Sequence, residues 1–175
     1  PYSNSKIGAP PPLMTGVGRI NRHGVSFFYS ATDKYTAISE IRPHPGDIIS
    51  IGKFNLKKEL KVFDLTDMQF INYYESDKKL AEFKQLSTLC ELMNKVIPPS
   101  ERDLYSITQL IADSARLLGF EGILFNSSVG EGYNLVLFDP NNVEYTFEEA
   151  GVVEVDSVKY NYFLREWAKT KDEIE

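Results

Sequence analysis

Two side chains of opposite charge stand out early in the sequence. Arg19 lies in a loop punctuated by Gly16, Gly18 and Gly24, and Glu40 follows one apolar stretch later. A guanidinium beside glycines can approach a phosphate closely and grip it with paired hydrogen bonds. A carboxylate held apart from it by a rigid strand can take sugar hydroxyls, so the pair suits an anionic, sugar-bearing ligand. Each residue also has a plain alternative: an arginine that orders its own loop, and a glutamate solvated on a helix. Arg42 is a weaker second candidate for a phosphate contact, and Arg22 could stand in for Arg19. Asn21 is expected to tie down the loop backbone. The Tyr29 ring can stack on a ligand or pack in the core. Far downstream, Ser127 and Ser128 offer hydroxyls in the loop NSSVGEGY, where a serine can equally cap its own turn. No His–Asp pattern surrounds them, which argues against a hydrolase triad. His23 and His44 read as surface residues.

The elements that must position these groups follow from periodicity. Residues 25–31, VSFFYSA, read as a strand with both faces largely covered, Phe27 and Tyr29 on one face and Phe28 and Ser30 on the other. Thr32 or Asp33 can cap the next helix. Its apolar stripe is Ala37, Ile38 and Ile41, with Glu40 at the border, and Pro43 and Pro45 end it. DIISIGKFNL and LKVFDLT are two further strands. Leu80, Phe83, Leu86, Cys90 and Met93 recur at helical spacing, which makes Cys90 a small buried hydrophobe. After Pro98-Pro99, Ser100 and Asp103 form a plausible capping box for a helix with the stripe Leu104, Ile107, Ile111, Ala115 and Leu118. Gly119 is placed to close that helix in a left-handed cap, with Phe120 packing back. ILF and NLVLF are strands flanking the serine loop, which Gly130 and Gly132 make mobile enough to close over a ligand. Asp139 to Asn142 is a turn before closing strands. The charged stretch around Trp167 reads as a short helix.

Composition excludes several classes. The chain has 175 residues, 42% apolar and 25% charged, which suits one globular domain. A net charge of −6 and no basic run argue against a large nucleic-acid interface. One Cys and two His cannot assemble the usual structural zinc set, and no metal is expected. No apolar run reaches membrane-spanning length and no signal peptide is visible, so a cytoplasmic location is the default and no membrane partner is expected. The chain opens without methionine on PYSNSKIGAPPP, as expected of a processed protein or a domain cut from something longer. Gly16-x-Gly18 precedes a strand, whereas a dinucleotide fingerprint follows one and opens a helix, and no P-loop pattern occurs.

The pattern GRxNxxG, a strand ending in Tyr, and TAxxE, followed downstream by FEGILFNSSVGEGYNLVLFDP, resembles the RES domain family, named for its Arg, Glu and Ser. That resemblance implies an α+β fold like the ADP-ribosyltransferases, with a split central sheet flanked by helices. Composition makes residues 1–15 a Pro-rich coil and 166–175 a charged tail, which leaves 16–165 as the RES-like catalytic domain. Carried over residue by residue, Arg19, Glu40 and Ser127 are the catalytic set, with Ser128 the near miss. Tyr29, Asn21, Ser128 and Arg42 are the expected substrate contacts. Known members are bacterial toxins that consume NAD, here as substrate. The implied activity is therefore cleavage of the nicotinamide–ribose bond in a toxin or defence effector. A cognate antitoxin or an N-terminal regulatory domain is an implied partner. ADP-ribosyl transfer to a protein or nucleic acid is the alternative enzymatic outcome. A non-catalytic nucleotide-binding module is the alternative from another class.

Overall fold

The structure, a computed structural model, describes residues 2, 6–66, 74–97, 99–160 and 162. In chain order the elements are β1 (Phe28–Ala31), α1 (Lys34–Glu40), β2 (Ile48–Leu56), β3 (Val62–Leu65), α2 (Asp77–Asn94), α3 (Tyr105–Leu117), β4 (Gly122–Asn126), β5 (Tyr133–Leu137) and β6 (Val143–Glu154). The class is α+β with two sheets, as expected from the sequence. The expected C-terminal helix around Trp167 lies outside the described residues. No helix among the described residues is long and apolar enough to cross a membrane.

The main sheet runs β1-β5-β4-β3. Its β1/β5 and β5/β4 pairs are antiparallel, and β4/β3 is parallel. A parallel pair needs a long crossover, and here α2 and α3 supply it. The second sheet is the antiparallel ribbon β2/β6, whose register shifts between Ile51 and Lys53. It joins the main sheet through rings: Phe28 of β1 meets Phe54 of β2 edge-on with centroids 4.7 Å apart. Phe54 in turn meets Tyr145 of β6 at 5.5 Å. Such pairs each contribute about 0.5–1.5 kcal/mol beyond area burial.

The ladder of β1 starts at Phe28, later than the predicted Val25, because the Val25 N–H donates to Arg22 O at 3.1 Å and closes a turn first. Alternation then splits the strand: Phe28 is buried under the ribbon while Tyr29 turns its ring to the other side. The core clusters Ile20, Phe27, Leu65, Met93, Ile123 and Val136 between the sheet and the two long helices.

The helices hold two differences from their periodicity. Helix α2 keeps its predicted stripe half-buried, with Met93 at its end fully buried. Helix α3 begins at Tyr105 with no side-chain cap, after a tight 3₁₀ stretch at Pro99–Leu104, so the expected box does not open it. Its buried face is Thr108, Gln109, Ile111, Ala112 and Ala115, while the predicted Ile107 and Leu118 are exposed. The cause is polar: Thr108 and Gln109 are drawn inward by carbonyls of the Arg19 loop. Gly119 does take the left-handed conformation, at φ +80°, and Phe120 N–H returns to Ala115 O at 3.0 Å.

Candidate active site

A cleft of about 480 Å3 opens between the Arg19 loop, β1, α1 and the end of α2. That lies within the roughly 300–1,000 Å3 typical of small-molecule sites. Arg19, Tyr29, Glu40, Arg42, Ser128 and Asn134 all line it.

One wall is the Arg19 loop, and α3 holds its backbone. Gln109 Nε2 donates to Gly18 O at 2.9 Å and to Asn21 O at 3.1 Å. The Thr108 hydroxyl donates to Arg19 O. The buried Asn21 works from inside the loop: its Nδ2 donates to Gly16 O at 2.9 Å and Arg22 O at 3.0 Å. Asn21 therefore ties down the loop, and it does not line the cleft. A Cβ on Gly18 would lie 2.2 Å from Asn21 Oδ1, so only glycine lets the loop close this tightly.

The Arg19 side chain is oriented by a helix end. Its Nη1 donates to Met93 O and, at 2.9 Å, to Lys95 O. Carbonyls at a helix C-terminus lack intrahelical partners and carry partial negative charge, so they attract a guanidinium. The same group sits 5.9 Å over the Tyr105 ring. Nε and Nη2 make no hydrogen bond with any described residue, and Arg19 lines the cleft. Arg22 is instead paired with Asp113 on the surface, Nη2 to Oδ2 at 3.0 Å, and takes no part in the cleft.

Tyr29 forms the floor. Its hydroxyl donates to Asn21 Oδ1 at 2.7 Å and accepts from Ile20 N–H at 3.2 Å. Burial of that end pushes its pKa up to about 12, so the phenol stays protonated at neutral pH. The residue as a whole is 46% exposed and lines the cleft, although its hydroxyl is held by the Arg19 loop.

The opposite wall carries Glu40 at the end of α1. Asp33 caps that helix by accepting from Thr36 N–H at 2.8 Å, which holds its carboxyl below the usual range. The buried residue of α1 is Thr36, while Ile41 of the predicted stripe is 60% exposed. Thr36 is buried because Gly132 N–H donates to its hydroxyl at 3.0 Å, docking the serine loop on α1. A Cβ on Gly132 would lie 2.0 Å from Asp33 Oδ2 and 2.8 Å from Thr36 Oγ1. The loop glycines thus serve close docking where loop mobility was expected.

That docking brings Ser127 to Glu40. The Ser127 hydroxyl donates to Glu40 Oε1 at 2.7 Å while accepting from Gly130 N–H at 2.9 Å and Val129 N–H at 3.2 Å. Asn134 Nδ2 donates to the same Oε1 at 2.6 Å. Both donors converge on one oxygen, and Oε2 has no hydrogen-bond partner among the described residues. Ser127 orients the carboxylate, whereas its neighbour Ser128 lines the cleft. Asn134 and Tyr105 were not singled out from the sequence, and Thr36 entered only as the first residue of TAxxE. The available signal for Asn134 was a lone amide opening the apolar run NLVLF.

The fold and site define an α+β domain with an oriented cation and an oriented carboxylate facing one cleft. The chain belongs to the RES domain family, whose model matches residues 1–157. Membership is consistent with a nucleotide- or NAD-related domain that acts as an enzyme. No curated protein matches the sequence.

Proposed function

We propose that the protein binds NAD in this cleft and cleaves the nicotinamide–ribose bond, passing the ribose to water or phosphate. Departure of nicotinamide leaves oxocarbenium-like positive charge on the ribose. A fixed carboxylate stabilises that charge more than it stabilises bound substrate, which is the condition for catalysis. The leaving group is already cationic and needs no strong general acid. In this reading Oε2 of Glu40 meets the ribose, Arg19 contacts the pyrophosphate and the Tyr29 ring stacks on a planar base. Ser127 and Asn134 keep the carboxylate in place, and Ser128 contributes a hydroxyl to the cleft.

The observation that carries the reading is the convergence of Ser127 and Asn134 on one oxygen of Glu40, which aims the other without a partner. Preorganised charge of this kind typically contributes about 10²–10³-fold in rate. A toxin role follows the same reading, since NAD loss would arrest growth.

The test is incubation of the purified chain with NAD labelled in the adenosine half. Release of nicotinamide with soluble ADP-ribose or its 1-phosphate is expected. Label retained on protein would favour ADP-ribosyl transfer, and no nicotinamide release with or without phosphate would refute NAD cleavage.

A further inference from the structure

Arg42 lies just beyond α1 and immediately before Pro43. Proline disfavours the right-handed helical conformation in the residue ahead of it. Arg42 takes φ +50°, alone among the described non-glycine residues in having positive φ. Glycine or asparagine is the usual occupant of a left-handed position after a helix, because a Cβ is crowded there. An arginine works against that geometry, and strained backbone of this kind concentrates at functional positions.

Arg42 lines the cleft on the same wall as Glu40 and is exposed to solvent. Its guanidinium makes no hydrogen bond or ion pair with any described residue. Arg19, by contrast, already gives Nη1 to two α2 carbonyls. Of these two cations, Arg42 offers the fully open donor fork, which matches the paired oxygens of a phosphate.

We propose that Arg42 is a phosphoryl-binding residue of this cleft, gripping an anionic phosphate group beside the Glu40 carboxylate. The proposal rests on the NAD reading for the reaction but not for the anion. The phosphate belongs either to the pyrophosphate of the dinucleotide or to free phosphate acting as acceptor.

Wild type, Arg42→Ala, Arg42→Lys and Arg42→Gly are titrated by calorimetry with ADP and, separately, with inorganic phosphate. The KM for NAD and the dependence of rate on phosphate are then compared. Arg42→Ala is expected to weaken anion binding about tenfold or more, as for loss of a charge-assisted hydrogen bond. Arg42→Lys falls between, since lysine keeps charge without the fork. Arg42→Gly loses the same affinity yet melts higher, because glycine adopts positive φ freely. Affinity and melting temperature moving in opposite directions is not expected of an arginine that only shapes its turn.

Weaker ADP binding and a raised KM assign the pyrophosphate as the source. Weaker phosphate binding with loss of phosphate-dependent rate assigns the acceptor. Wild-type affinity for both anions in Arg42→Ala, or no binding of either anion by wild type, overturns the proposal. Arg42-dependent binding without any nicotinamide release leaves the proposal standing and removes the NAD reading. Normal release with unchanged binding does the reverse.

Discussion

The two walls of the cleft are built differently. The Arg19 wall is held at long range by buried side chains, Thr108 and Gln109 reaching from α3 to the loop backbone and Met93 and Lys95 presenting carbonyls from the end of α2. The Glu40 wall is held by a loop seated on the adjoining helix, where Gly132 meets Thr36 and Ser127 meets Glu40. The first wall shares its supports with the core. The second depends on a few polar contacts outside the apolar core cluster, one of them to the buried Thr36. Damage to the Arg19 wall should therefore appear in stability as well as activity, and damage to the Glu40 wall chiefly in activity.

The sharpest break comes at Gly132. In Gly132→Ala the new Cβ would collide with the Asp33 carboxylate and the Thr36 hydroxyl, so the loop must lift and carry Ser127 off Glu40. Misplacement by about 1 Å can cost roughly 10²-fold in rate. Nicotinamide release should fall by about that factor, while the melting temperature changes little because the displaced loop lies outside the core. A large loss of melting temperature with retained activity would erase the contrast between the walls.

A smaller effect with a distinctive shape is expected from Asn134→Asp. It places a second carboxyl where an amide now donates at 2.6 Å. Two carboxylates at that separation cannot both ionise readily, so the pair in the variant shares a proton. The rising limb of the pH–rate profile should move to higher pH, with activity recovering on the alkaline side. A profile lowered uniformly at every pH would count against Asn134 acting through Glu40.

On the other wall, Thr108→Val keeps shape but removes the hydroxyl that donates to Arg19 O. Leaving a buried carbonyl unpaired costs about 1–3 kcal/mol. The loss should register first in thermal unfolding, with only a modest rise in KM. The smallest effect belongs to Asp33→Asn, because asparagine also caps helices well. Asp33 has a folded pKa below its ordinary 3.8, so its stabilising contribution is present above that value and disappears as pH falls through the folded one. The two proteins should differ slightly in melting temperature near neutrality and converge in acid.

Much of this arrangement was legible in the chain. The glycine-flanked Arg19, the helix ending at Glu40 and the serine loop between two strands follow from local turn and helix chemistry, and local chemistry is what a sequence displays. The supports were less visible. Periodicity pointed α3 inward through Ile107 and Leu118, yet hydrogen bonds to loop carbonyls far along the chain turned Thr108 and Gln109 in instead. The serine loop glycines read as freedom of movement because their tight approach to Thr36 exists only after folding. Asn134 looked like an ordinary strand residue until antiparallel pairing placed β5 between β1 and β4 and brought its amide to Glu40.

The most direct measurement is the rate of nicotinamide release from NAD by wild type and by Glu40→Gln, with melting temperature recorded for both. Glutamine can keep a carbonyl oxygen for Ser127 and Asn134 while discarding the negative charge. Release by wild type that falls at least about 10²-fold in the variant, with little change in melting temperature, is the predicted result. Equal release by the two proteins would contradict the role given to the carboxylate.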